Sequence, residues 1–197
     1  MKIKKIEIKE KQKEEPFIWE LHPQLNVVCG KGKTTLFRRL RKVLLPCSPH
    51  YRDDLVEQVR IALTDGTILS FGNELDVDIT QYFDPDAMMF DEEGLYVLEM
   101  ASKTLRIDKD ELERMSFSQK ILAILKTVVK GDIALLDTPD IGLSDEQKPT
   151  LLEDLMRENP DCQMIIATES NEVIGSIGYG YEFINLDDYD EYKTAQD

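Results

Sequence analysis

The chain has 197 residues, 42% apolar and 32% charged. That is enough for one domain with a sizeable core and too apolar for a wholly disordered chain. Its 24 Lys and Arg against 39 Asp and Glu give a formal charge of −15, which argues against a general nucleic-acid coat or an anionic-membrane binder, since both need positive charge.

No apolar run approaches the roughly 18–20 residues of a bilayer span. The opening MKIKKIEIKEKQKEE lacks the apolar stretch of a secretory leader. Cys29, Cys47 and Cys162 lie far apart and suggest neither a disulfide framework nor a metal site. A cytoplasmic setting without a membrane is expected. Charge is uneven: residues 1–60 carry 14 basic and 8 acidic side chains, and the remainder 10 and 31. Arg38, Arg39, Arg41 and Lys42 form a basic cluster, a candidate DNA contact. Asp187, Asp188, Asp190 and Glu191 open an acidic stretch.

In chain order, Ile3, Ile6 and Ile8 in a Lys/Glu background predict a first strand, and Phe17 to Leu21 a second. Leu25–Cys29 reads as a short buried strand, then a Gly-Lys-Gly-Lys turn and a helix from about Thr34 to Leu45, closed by Pro46 and Pro49. VRIALTDGTILSFG holds two alternating runs around Asp65-Gly66, a strong hairpin signal. A strand is expected over 77–83, a helical stretch over 86–105 and a helix from Ser116 to Lys130. Then come a buried strand Ile133–Leu136, a helix Asp145–Glu158, a buried strand Met164–Ala167 and a last strand from Tyr181 to Leu186. Hairpins in front and helix–strand alternation behind predict a mixed α/β domain, with a largely parallel central sheet and an antiparallel flank. One domain over 1–186 and an acidic C-terminal tail over 187–197 are expected.

The turn after the third strand, Gly30-Lys31-Gly32-Lys33-Thr34-Thr35, is where a phosphate-binding loop belongs. Glycines let backbone N–H groups converge on phosphate oxygens, and the helix start adds partial positive charge. Lys33 would reach the outer phosphates and the Thr34 hydroxyl would ligate Mg²⁺. The full G-x-x-x-x-G-K-[ST] pattern is not met. Aligning Gly30 with its first glycine leaves the loop three residues short, and the other alignment puts Val27 there, which is poor loop material. A plain Lys-rich turn would read the same way.

Downstream, DIALLDTPDIGLSD is an apolar strand ending in Asp137, then a Pro139 turn. It resembles a Walker B segment with the D-loop after it. Met115-Ser116-Phe117-Ser118-Gln119-Lys120 opens an apolar helix and resembles the ABC signature loop, usually Leu-Ser-x-Gly-Gln. Ser116 with Gln119 is equally an ordinary capping box. MIIATES at 164–170 resembles the strand and switch loop that normally ends Ala-Thr-His-Ser. Taken together in this order, these segments resemble the ABC ATPase superfamily, most closely its SMC/RecF/OLD-like branch, whose opening strand MKIKKIEIKE also resembles.

The resemblance implies a P-loop NTPase fold with a helical segment carrying the signature loop. It implies ATP and Mg²⁺ as cofactors, with Thr34, Asp137 and Gln81 toward the metal. It implies a head-to-tail homodimer or heterodimer in which Ser116, Ser118 and Gln119 face the partner's nucleotide. Four positions depart from it. The loop is short, the signature glycine is Ser118, the water-polarising Glu after Asp137 is Thr138, and the switch His is Glu169. Loss of one general base typically costs about 10²–10⁴-fold.

Three functions follow. The first is a degenerate ATP-binding subunit with a regulatory or structural role. The branch implies DNA repair or phage defence, with an effector such as a nuclease on another chain. The second is a slow ATPase in which Glu169 replaces the missing base. The third is an interaction module that binds no nucleotide. Both of the first two expect the bend near Gly32 and Asp137 side by side, on adjacent strands, and both would fall if the two lay far from each other.

Overall fold

The computed structural model describes residues 1–44, 55–70, 80–83, 103, 106–129, 131–178 and 180–189. The expected helix over 86–105 and the start of the strand over 77–83 lie almost wholly outside them, as do Pro46, Cys47 and Pro49.

Two sheets organise the chain. The first is antiparallel, in the order β2-β1-β4-β5. It is built from β1 (Ile3–Glu10), β2 (Phe17–Glu20), β4 (Val56–Leu63) and β5 (Ile68–Ser70). Its strands alternate because one face alone is buried. On β4, Val56, Val59, Ile61 and Leu63 face the core while Glu57 and Arg60 do not. The Asp65-Gly66 turn closes the predicted hairpin, with Asp65 accepting from the Thr67 N–H at 2.9 Å and Ala62 opposite Ile68.

The second sheet is wholly parallel, in the order β6-β7-β8-β3-β9. It comprises β3 (Leu25–Cys29), β6 (Thr80–Phe83), β7 (Ile133–Asp137), β8 (Gln163–Ala167) and β9 (Tyr181–Asn185). Every residue of β7 and β8 is buried, as continuous apolar runs covered on both faces should be. Alternation divides the two faces. Val28, Ile133, Leu135, Ile165 and Ala167 pack with α1 (Lys33–Leu44) and the antiparallel sheet. Leu25, Val27, Ala134, Leu136, Met164 and Ile166 pack with α3 (Phe117–Val128), α4 (Lys148–Glu158) and α5 (Asn171–Ser176). The parallel sheet is thus the middle layer between helices on one side and α1 with the antiparallel sheet on the other.

Buried polar groups fix how the layers meet. Gln163, fully buried at the start of β8, accepts from the Ile3 N–H at 2.7 Å. Its amide nitrogen donates to the carbonyls of Ile3 and His22 at 2.8 Å each. Asn26 on β3 accepts from the His22 N–H at 2.7 Å and donates to the His22 carbonyl at 2.9 Å. Arg39 is buried inside α1 and pairs with Glu10 at 2.7 Å. The sequence put Arg39 in a surface basic cluster; its burial removes it from any nucleic-acid contact.

Three further differences have physical causes. β8 lies between β3 and β7, so the bend and Asp137 are one strand apart rather than on neighbours. Sequence order does not state lateral order, and β7 and β8 are equally buried apolar runs. The helix expected from Asp145 starts at Lys148. Ser144 and Gln147 first close a turn, the Ser144 N–H donating to Gln147 Oε1 at 3.1 Å and the Gln147 N–H to the Ser144 carbonyl at 2.9 Å. Pro149 then sits in the first helical turn, where its missing N–H costs nothing. Finally, α2 (Lys109–Arg114) and α5 were not anticipated. Asp108 and Ser170 cap them, the kind of start signal that short polar side chains provide. Among the described residues no helix is long and apolar enough to cross a membrane.

Candidate functional site

All five parallel strands end at one edge, where open α/β sheets place ligand-binding loops. Cys29 ends β3, and α1 begins at Lys33. Only Gly30, Lys31 and Gly32 intervene, as the short-loop alignment expects. The Leu36 N–H donates to the Gly32 carbonyl at 2.9 Å, the first helical bond. Gly30 and Gly32 have φ of +89° and +92°. Gly30 is required twice over. A side chain there would be strained, and a Cβ would come within 2.7 Å of Asn185 Oδ1 and 2.9 Å of the Asp187 nitrogen.

The segment pressed on Gly30 is a 3-10 turn, Leu186–Asp188, directly after β9. Asn185 pairs with Cys29 in the sheet, and its side chain accepts from the Asp187 N–H at 3.1 Å. The Asp187 carboxylate accepts from the Lys31 N–H at 3.1 Å. Tyr189 packs edge-on against Phe17, ring centroids 5.2 Å apart. The acidic tail expected from residue 187 therefore does not begin there: Asp187 and Asp188 belong to a turn docked on the loop.

Lys33 pairs with Glu169 through Nζ and Oε1. The lysine side chain is 18% exposed and the glutamate 61%. Neighbours on both sides hold Glu169 in place. The fully buried Thr168 donates its hydroxyl to Asp140 at 2.9 Å and accepts from the Ser170 N–H at 3.0 Å. The Thr168 N–H donates to the Val28 carbonyl at 3.0 Å, and Ser170 caps α5. The residue expected at the switch position thus meets the loop lysine.

Asp137 ends β7, buried, in register with Ala167 of β8, which is itself in register with Val28 of β3. Thr138 follows at φ +50°, an uncommon conformation for a β-branched residue. It is held there by its N–H, which donates to the Ala167 carbonyl at 2.8 Å, and by its hydroxyl, which donates to Asp137 Oδ1 at 3.2 Å. Thr138 thereby orients the Asp137 carboxylate. Thr34 and Thr35 are half-buried in the first turn of α1. The backbone of Gln81 lies on β6 opposite Ala134, three positions before Asp137.

Ser116, Ser118 and Gln119 bond to one another. The Ser116 N–H donates to Gln119 Oε1 at 2.9 Å, the Gln119 N–H to Ser116 Oγ at 3.3 Å, and the two serine hydroxyls are 3.2 Å apart. This is the capping box of α3. Phe117 lies 41% exposed with its ring against Gly142, whose φ of +70° and missing Cβ leave room for it. The loop after β7 and the start of α3 therefore touch.

The electrostatics of this edge are acidic. Around Cys29 the charges of Glu169, Asp187 and Asp188 outnumber that of Lys33, and the buried Asp137 and Asp140 lie at and just after the end of β7. Burial, then the charges of Glu169 and Asp187, push the half-buried Cys29 thiol above its usual pKa, with Lys33 opposing. Sequence reasoning missed Asn185, Asp187, Asp140 and Thr168 as parts of this cluster. Asp187 is visible in the sequence only as one acid of the stretch 187–191, and no local signal ties it to the loop.

The same architecture occurs in solved structures. An SMC head domain from Thermotoga maritima is 14% identical, with 94% of each chain covered and a TM-score of 0.56. An SMC head bound to the C-winged helix domain of ScpA is 13% identical over 94% of each chain, TM-score 0.57. A nucleotide-free ATP-binding cassette from an ABC transporter is 11% identical over 90% of this chain and 85% of its own, TM-score 0.54. The chain thus has the fold of ABC-type and SMC-head ATPase domains. At the level of sequence, no family model and no curated protein matches it.

Proposed function

We propose that this chain is an ATPase-fold subunit with a degenerate nucleotide site of its own, acting as a nucleotide-responsive regulatory or structural partner. The observation that carries this reading is the Lys33–Glu169 pair, which neutralises the loop's principal cation within the chain. The donors suit phosphate chemically. Lys33 Nζ and the Lys31 N–H already bind carboxylate oxygens, the same kind of acceptor. ATP would be held by these groups, and Mg²⁺ by Thr34 and Asp137, with Gln81 a further candidate. Bound Mg²⁺ would neutralise phosphate charge. The acidic surroundings oppose a polyanion, so binding is weak.

A second ABC-type ATPase chain is the expected partner, met through Ser116, Ser118 and Gln119, with the exposed Phe117 beside them. A cytoplasmic role in DNA repair or phage defence, with a separate effector such as a nuclease, extends the reading through the resemblance. Thr138 is no carboxylate base, and Glu169 is engaged by Lys33, so hydrolysis is not assigned to this chain.

The test is melting temperature with and without Mg·ATP, together with phosphate release, for wild type, Lys33→Ala and Glu169→Gln. The expected result is a small Mg·ATP shift that Lys33→Ala abolishes, and no turnover above the Lys33→Ala control. Turnover that needs both Lys33 and Glu169 would make the chain a slow hydrolase instead. The absence of any shift in all three proteins would make it an interaction module.

A further inference from the structure

We propose that the turn Asn185–Asp187 is a built-in latch, in which the Asp187 carboxylate serves as an internal ligand of the phosphate loop and must leave before an external anion can bind. This rests on the reading of residues 30–33 as an anion-binding loop and adds its regulation. The Lys31 N–H is the donor presented between two left-handed glycines, and Asp187 Oδ1 accepts from it at 3.1 Å. Such a run of backbone forms a concavity that favours anions.

The turn is aimed at this spot by several independent contacts. β9 pairs with β3 up to Cys29–Asn185, the Asn185 side chain fixes the Asp187 N–H, and Leu186 is fully buried beneath. Gly30 leaves no space between loop and turn. By contrast, the Asp187–Lys31 bond lies exposed. An exposed contact opens more readily than the buried sheet behind it. A ligand that binds only the opened form loses apparent affinity in proportion to the closed fraction. Glu169 on Lys33 acts in the same sense, so two carboxylates of the chain hold the loop's donors.

The experiment uses the full chain and two readouts. Amide hydrogen exchange of Lys31, without ligand, is measured in wild type, Asp187→Asn and Asp187→Ala. Pyrophosphate affinity is then measured by calorimetry in the same proteins and in Asp187→Ala/Lys33→Ala. The latch predicts faster Lys31 exchange in both single variants. It also predicts pyrophosphate binding tighter by about tenfold in Asp187→Ala and less in Asp187→Asn, with the gain lost in the double variant. Asp187→Asn retains an acceptor oxygen and so serves as the control for folding. Unchanged Lys31 exchange, or pyrophosphate affinity that stays level or falls, would overturn the proposal. Lys33-dependent ATP turnover by wild type would instead overturn the regulatory reading while leaving the latch intact, so the two failures are separable.

Discussion

The two ends of strands β3 and β8 are built on opposite principles. At the amino end, neutral amides are buried: Gln163 makes three bonds of 2.7–2.8 Å to Ile3 and His22, and Asn26 bonds His22 again. Beyond the carboxyl end the contacts involve exposed carboxylates: Lys33 pairs with a largely exposed Glu169, and the Lys31 backbone N–H donates to Asp187. A buried neutral network holds because nothing outside can replace it, and unmaking it strands polar groups. Exposed contacts to carboxylates contribute little net stability, and another anion can take the carboxylate's place. One end therefore staples the two sheets, and the other is a surface where partners can be swapped.

That contrast can be broken at either end. The largest effect is expected from Gln163→Leu, which leaves the Ile3 N–H and two carbonyls without partners inside the core. Urea unfolding should show a loss of about 3 kcal/mol or more; a loss under about 1 kcal/mol would mean that the amino end is no staple. Next comes Gly142→Val, which forces a branched side chain into the Phe117 ring at a left-handed φ. It should cost about 1–3 kcal/mol and loosen the start of α3, seen as faster amide exchange at Ser118 and Gln119.

Glu169→Gln should move unfolding free energy by no more than about 1 kcal/mol, because Glu169 is mostly exposed. The same change should tighten pyrophosphate binding. A large stability loss with no change in binding would make the carboxyl end structural after all.

The smallest effect concerns cysteine chemistry. The thiolate is the reactive form, so a raised pKa means slow alkylation at pH 8. Cys29 should react more slowly than a free thiol, and Glu169→Gln, by removing a negative charge, should speed it a few-fold. Cys162, pushed up to about 11 mainly by burial, should stay unreactive in both proteins. Peptide mapping after iodoacetamide separates the two sites.

Much of this was legible in the sequence because it is local. The apolar runs of β3, β7 and β8, the Asp65-Gly66 turn and the Ser116–Gln119 box each declare themselves within a few residues. The chain order of Lys33, Asp137 and Glu169 at strand ends was readable for the same reason. Lateral order was not, since nothing in the β7 or β8 segments says which lies nearer β3. Contacts between distant positions were also hidden. Gln163 meets Ile3 across 160 residues and Asp187 meets Lys31 across 156. Asp187 in particular looks like one acid among several until β9 is known to lie beside β3. Thr138 gave no warning either, because a β-branched residue at positive φ runs against local preference and is held by Ala167 and Asp137.

The most direct test is a crystal structure of the protein with Mg²⁺ and a non-hydrolysable ATP analogue. The account predicts phosphate density over residues 30–33, with Glu169 turned away from Lys33 and Asp187 released from the Lys31 N–H. An analogue bound elsewhere at saturating concentration, with both carboxylate contacts intact, would contradict it.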